Sequence, residues 1–320
     1  MMAKNQEQAE LKIDFLKKML GSRICAALQD DDITEIMANP DGSVWFESRS
    51  KGMFKDSEIG EFEAQNFLLQ LARLQDLFLN FENPYLETLL PFNRERLEGT
   101  IAPISDRASF TIRKPAKFVY PLEDYLKKKI INKAQFDFIC DALLARKNII
   151  VSGGPGTGKT TLSNAIVKKM SEICDRSQRV LVLEDTAELK CEMPNVLSMV
   201  TSQNVSMTTL LKIAMRSRPD RILVGEVRDA AALDLLKSWN TGCPGGIATI
   251  HANSAESSVL RLISLAQEAN VPPPNDLVAE TVDVLINVVR NSKHKAGREV
   301  KSISAIKGFN GKKFEFTQVA

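Results

Sequence analysis

The octapeptide Gly153-Gly-Pro-Gly-Thr-Gly-Lys-Thr160 constrains this chain more than any other stretch. It matches G-x-x-x-x-G-K-[ST] at every fixed position, and its context agrees with the pattern. Ile149-Ile150-Val151 precede it as an apolar run, and Leu162, Ala165, Ile166 and Val167 follow at helical spacing. The spacing predicts a buried strand, a tight loop and a helix. Glycines let the backbone curl until several N–H groups converge on one anion, and the helix adds its positive dipole end there. In such a turn Gly154, Pro155, Gly156, Thr157, Gly158 and Thr161 form the cradle. Lys159 meets the β/γ-phosphates of a nucleotide and the Thr160 hydroxyl ligates Mg²⁺.

Around this loop, short apolar runs alternate with helical stretches. Strands are expected at Asn148–Ser152, Val180–Leu183, Val196–Val200, Ile222–Val224 and Gly246–Ile250. Helices are expected at Lys159–Ser171, Met207–Arg216, Ala230–Trp239 and Glu256–Ala269, with a further helical stretch from Leu122 to Arg146. Strands apolar throughout and separated by helices imply a parallel sheet covered on both faces. The first third reads differently, as a small mixed α/β unit. It has a helix marked by Ala9, Ile13, Leu16 and Leu20, and a hairpin around Pro40-Asp41-Gly42. A second helix contains Phe67, Leu68, Leu71 and Leu74, and strand-like pieces follow at Tyr85–Leu90, Leu97–Pro103 and Ser109–Ile112. A Pro-punctuated, Lys-rich segment then breaks the pattern. The expected division is an N-terminal domain over 1–113, a linker over 114–121 and a second domain over 122–320, two domains for 320 residues.

Composition removes several alternatives. With 44% hydrophobic and 26% charged residues the chain is neither disordered nor a disulfide scaffold. Forty-two basic against 40 acidic side chains leave +2, which gives no case for non-specific nucleic-acid binding. Five scattered cysteines without a C-x-x-C pair fit reduced thiols and offer no structural zinc site. The first twenty residues do not read as a signal peptide. The longest apolar stretches, such as Val282–Val289, fall well short of the ~20 residues needed to span a bilayer. A cytoplasmic chain is expected, peripheral if it meets a membrane.

A phosphate loop binds; hydrolysis needs a group that orients water and a shell for the metal. Arg218-Pro-Asp-Arg-Ile-Leu-Val-Gly-Glu226 is an apolar strand ending in a carboxylate. The position usual for a metal-organising Asp is Gly225, which has no side chain. Either Glu226 is the general base, or the metal is held from elsewhere. Glu184-Asp-Thr-Ala-Glu188 ends another strand and offers Glu184 and Glu188 to a metal, or is an ordinary acidic turn. Gly245-Gly-Ile-Ala-Thr-Ile-His251 is a third piece, in which His251 contacts the γ-phosphate or is a packed polar residue. His294, among Lys293, Lys295 and Arg298, reads as solvated surface.

These four pieces, Gly153–Thr160, Glu184–Leu189, Arg218–Asp229 and Gly245–His251, resemble in this order the secretion ATPase superfamily of type II and type IV secretion and type IV pili. There they correspond to the Walker A, Asp box, atypical Walker B and His box. The family has Gly-Glu at the Walker B end, which accounts for Gly225. Asp32-Ile-Thr-Glu-Ile-Met-Ala-Asn-Pro-Asp-Gly42 and Phe110-Thr-Ile-Arg-Lys-Pro115 resemble the type IV secretion branch, closest to TrbB-type conjugal transfer ATPases. The resemblance implies an α/β chain with a RecA-like P-loop NTPase domain and a smaller N-terminal α/β domain. It also implies a homo-oligomer, a hexameric ring, using ATP and Mg²⁺ beside inner-membrane secretion or conjugation proteins. Glu226, Lys159, Glu184 and His251 would be catalytic, with Thr160, Glu184 and Glu226 at the metal. Arg113, which matches the Thr-Ile-Arg-Lys-Pro motif, would join the catalytic set by reaching the phosphates from the N-terminal domain, with Arg96 and Arg107 as looser matches. Arg216, Arg218, Arg221 and Arg228 would organise the Walker B neighbourhood and subunit contacts. The competing readings are a type IV pilus or type II secretion motor, a RecA-like nucleic-acid-binding protein, and a nucleotide-gated scaffold that does not hydrolyse.

Overall fold

A computed structural model describes residues 2–115, 118–202 and 204–319; side chains are described from residue 11 onward. The chain divides into two compact units, Met1–Lys117 and Phe118–Ala320. Ala116 and Lys117 of the expected linker lie outside the described residues. Lys114, expected to open that linker, is instead held within the first unit. Its N–H donates to Thr34 O at 2.9 Å and its Nζ to Ala27 O at 2.8 Å.

The N-terminal unit is a six-stranded antiparallel sheet in the order β3 (Gly52–Glu58), β2 (Ser43–Ser48), β1 (Ile33–Ala38), β6 (Ser109–Arg113), β5 (Arg96–Thr100), β4 (Tyr85–Leu89). α1 (Met2–Gln29), kinked at Gly21, and α2 (Glu61–Leu74) supply the apolar cover for one face. Period-two alternation puts Ile36, Phe46, Leu97, Phe110 and Ile112 into one core with Leu16, Leu20, Phe67, Leu68 and Leu71. The approach is close. A β-carbon at Gly99 would fall 2.5 Å from Leu68 Cδ2. The hairpin around Gly42 forms as expected, and β3, which the alternation did not reveal, extends it. The expected strand over Leu97–Pro103 starts one residue earlier and ends at Thr100.

The second unit is built on eight strands: β14 (Phe314–Val319), β13 (Arg298–Phe309), β12 (Val284–Arg290), β7 (Ile149–Ser152), β11 (Ile247–Ile250), β10 (Arg221–Val224), β8 (Arg179–Glu184), β9 (Asn195–Val200). The six from β12 to β9 run parallel, whereas β13 and β14 are antiparallel additions, so the sheet is mixed rather than wholly parallel. Successive residues face opposite layers. Ile150, Leu181, Leu183, Ile222 and Ala248 pack under α6 (Met207–Arg216), α7 (Ala231–Asn240), α8 (Ala255–Gln267) and α9 (Asn275–Thr281). Ile149, Val151, Val180, Val182 and Ile247 pack under α3 (Leu122–Lys127), α4 (Lys133–Leu144) and α5 (Lys159–Ile173). The helical stretch expected from Leu122 to Arg146 is therefore two helices. The break falls at Lys129, whose φ is +57°, and Asn132 starts α4 with a reciprocal capping box to Gln135.

Candidate functional site

β7 ends at Ser152 and the chain curls at once into α5, whose N-cap is Gly158. Gly156 and Gly158 hold φ of +64° and +97°, conformations that disfavour any side chain. A β-carbon at Gly153 would lie 2.4 Å from Val288 O, so the loop's first glycine is required by packing against β12. Thr157 Oγ1 donates to Gly154 O at 2.9 Å, and Lys159 is buried with Nζ 3.3 Å from the same carbonyl. Thr160 and Thr161 lie in the first turn of α5, and Pro155 is exposed.

In sheet order β7, β11, β10 and β8 are neighbours, and each contributes from its carboxyl end. Lys159, after β7, places Nζ 3.1 Å from Nδ1 and 3.4 Å from Nε2 of His251, after β11. His251 Nε2 lies 2.7 Å from Oε1 of Glu226, after β10. Arg228 donates through Nε at 2.9 Å and Nη2 at 2.7 Å to the other oxygen, Oε2, and its Nη1 stands 3.6 Å from Asp185, after β8. Thr201 Oγ1 donates to Asp185 at 3.1 Å. Burial, then the cations Lys159, Arg228 and Arg261, lower the pKa of His251 against the opposing pull of Glu226. The net pull is towards the neutral imidazole, the form that can accept from the Lys159 ammonium. Glu226 Oε1 is buried and receives no hydrogen bond of good geometry, its contact with His251 being electrostatic only.

Glu184 is placed differently from the expected metal-facing role. Its side chain is 3% exposed, and Oε1 accepts from the main-chain N–H groups of Glu188 at 3.0 Å and Leu189 at 2.9 Å. Burial, outweighing those bonds, pushes its pKa up to about 7. A β-carbon at Gly225 would fall 2.9 Å from Glu184 Cγ, so the residue before Glu226 is glycine because Glu184 occupies the space an aspartate would need. Thr249 Oγ1 donates to Gly225 O at 2.7 Å and pins that turn. Glu188 offers its main chain here, its O accepting from Asn164 Nδ2 at 2.9 Å.

Within the second unit, the nominated arginines other than Arg228 lie away from the carboxyl ends of these strands. Arg221 is buried at the amino end of β10, the opposite end from Glu226. It donates to Gln178 at 2.7 Å, Gly245 O at 3.1 Å and Leu143 O at 3.0 Å. It braces the sheet rather than the Walker B carboxylate. Arg216 and Arg218 are exposed. In the N-terminal unit Arg96 and Arg113 are cross-strand partners; Arg96 pairs with Glu87 at 2.8 Å and Glu98 at 2.7 Å, and Arg113 stands 3.6 Å from Glu35. Arg107 pairs with Glu61 at 3.4 Å. His294 is not simply solvated: Nε2 meets Lys129 O at 3.1 Å and Nδ1 accepts from Ala296 N at 3.0 Å, fixing a turn. Two residues that sequence patterns do not nominate touch the loop itself. Arg290 Nε donates to Gly156 O at 3.1 Å, and Arg298 lies against Gly158. Their one local signal is the basic run from Arg290 to Arg298, which reads as surface.

Among the described residues no three His, Cys, Asp or Glu side chains gather as a metal cluster. A hydroxyl, one carboxylate and a loop for phosphates nevertheless suit Mg²⁺, which keeps waters and shares substrate oxygens. The cradle of glycines and the unsatisfied Glu226 Oε1 fit that group.

Residues 100–315 match the family model described as type II/IV secretion system protein. A probable conjugal transfer protein TrbB of Sinorhizobium fredii is 40% identical over 300 residues, covering 94% of this chain and 91% of that protein. The type IV secretion system protein VirB11 of Bartonella quintana is 30% identical over 77% of this chain and 80% of its own length. Among solved structures, the Legionella pneumophila ATPase DotB superposes with a TM-score of 0.61 at 16% identity, over 96% of this chain and 80% of that one. The pilus retraction motor PilT with bound ADP gives 0.58 at 16%, over 92% and 80%. These two likenesses concern the fold.

Proposed function

Since the chain belongs to the type II/IV secretion system protein family, we propose that it is an ATP hydrolase that powers a type IV secretion or conjugal transfer apparatus as a hexameric ring. The observation that carries this reading is the series Lys159–His251–Glu226–Arg228, drawn from three adjacent strand ends beside the glycine loop. Identity of 40% to a conjugal transfer protein favours it over a pilus or type II motor. No helix among the described residues is long and apolar enough to cross a membrane, consistent with peripheral attachment at the inner membrane.

In this reading the loop N–H groups and Lys159 bind the triphosphate, and Thr160 with Glu226 holds Mg²⁺. Mg²⁺, when bound, neutralises charge on the terminal phosphate. Glu226 orients the attacking water through the oxygen that now lacks a donor, while Arg228 fixes the other oxygen. His251 gives up Lys159 to the phosphates and turns its own edge to the terminal group. Glu184 acts as a positioning residue that shapes the turn carrying Asp185 and Glu188. Arg113 and Arg96 are the proposed phosphate-sensing side chains of the N-terminal domain. Each would exchange its glutamate partners for an anion and so couple nucleotide state to movement of the N-terminal domain.

The test is Glu226→Gln. The variant should bind ADP as the parent does and release phosphate at least about a hundredfold more slowly. Undiminished release would remove Glu226 from the chemistry. A parent chain that neither hydrolyses ATP nor assembles beyond a monomer with nucleotide would overturn the motor reading.

A further inference from the structure

On the side of the loop away from Glu226 the sheet continues from β7 into β12 and β13. Arg290 ends β12, Arg298 begins β13, and the two are register partners across the antiparallel pair. Their side chains therefore leave one face of the sheet side by side. Both reach the loop where it turns hardest. A β-carbon at Gly156 would fall 2.3 Å from Arg290 Nη2, and one at Gly158 would fall 2.2 Å from Arg298 Nη1.

Like charges directly opposite in a ladder repel and cost stability. Another cross-strand arginine pair, Arg96 and Arg113, is balanced by Glu87, Glu98 and Glu35. Among the described residues no carboxylate pairs with Arg290 or Arg298. The compensation absent from the folded chain is what an anion on the loop would supply.

We propose that Arg290 and Arg298 bind the phosphate chain of the nucleotide at the end remote from the bond that is cut. This rests on reading the loop as a triphosphate site. Lys159, His251 and Glu226 mark the hydrolysed end, toward β11 and β10, so the remainder of the phosphate chain extends toward β12. Guanidinium suits that place because it holds phosphate through two parallel N–H bonds and keeps its charge. The phosphates concerned are common to ADP and ATP. The pair therefore adds equal affinity for both and gives no preferential grip on the transition state.

The experiment titrates ADP and a non-hydrolysable ATP analogue into the full chain, its Arg298→Glu, Arg290→Ala, Arg290→Lys and Lys159→Ala variants, with thermal midpoints measured in parallel. Arg298→Glu sets a carboxylate opposite Arg290. It should raise the ligand-free midpoint while weakening both nucleotides by about ten- to hundredfold and by similar factors. KM should rise in step, with kcat at saturating ATP falling far less. Arg290→Ala should weaken both ligands alike and Arg290→Lys recover part of the loss, which keeps the test open if Arg298→Glu fails to fold. A higher midpoint with unchanged affinities would overturn the proposal, as would a loss confined to the ATP analogue. If the parent itself binds neither nucleotide, or Lys159→Ala binds both as well as the parent, the triphosphate loop falls, separately from the arginines.

Discussion

Replacing Glu184 by glutamine should make the second unit more stable at neutral and alkaline pH and change nothing below about pH 4.5. The side chain is 3% exposed, and its burial raises the pKa from 4.5 to about 7 despite two main-chain N–H donors. That separation is worth about 3 kcal/mol of discrimination against the ionised form. Between pH 4.5 and about 7 the folded chain keeps a proton that the unfolded chain has released. Stability from this group is therefore full below pH 4.5 and declines as pH rises through 7. Glutamine keeps an oxygen for the N–H groups of Glu188 and Leu189 and carries no ionisable proton. Thermal unfolding of both chains from pH 4 to 8.5 should give midpoints that coincide at the acid end, separate as pH rises towards 7 and stay apart above it. At the alkaline end the variant should lead by roughly 5–10 °C for a unit of this size. Parallel curves, or a variant that loses ground as pH rises, would refute the argument that burial dominates at Glu184.

Gly246→Ala should cost about 3 kcal/mol, read as a lower midpoint with altered Trp239 fluorescence. Its β-carbon would fall 2.1 Å from Trp239 Nε1, the atom that donates to Ile222 O at 3.1 Å, so overpacking and a lost buried bond add. Arg221→Met should destabilise by about 2 kcal/mol, because the carbonyls of Gly245 and Leu143 lose their donor. It should leave ADP affinity unchanged, since it sits at the opposite end of β10 from Glu226. A more stable variant would mean that burying the guanidinium costs more than its bonds return.

The glycine loop was legible because its requirements are local: Gly156 and Gly158 need positive φ, Lys159 follows, and the flanking apolar spacings switch from strand to helix. The central strands were legible for a similar reason, each being apolar on both faces. β13 and β14 were not, since their half-exposed alternation, with Lys301, Lys307 and Glu315 facing out, resembles a polar tail until paired. The break between α3 and α4 escaped because apolar spacing runs on across Lys128–Asn132. At the site, the sequence nominated Glu184 for a metal because it ends an apolar strand. What leaves it room to turn inward is the missing side chain at Gly225, just past the end of the neighbouring β10, a contact that no local window contains. Arg290 and Arg298 stayed hidden for the same reason.

The adjacency of the β7, β11, β10 and β8 termini has a mechanical corollary. A ligand that withdraws Lys159 from His251 deprives Glu226 of neither its strand nor its turn, only of one neighbour's orientation, and Arg228 then becomes the carboxylate's sole anchor. News of occupancy can thus travel sideways to Asp185 by a succession of exchanged partners while the framework beneath stays rigid. On the proposed function, such a relay would ask nothing of the hydrophobic layers beneath the strand ends.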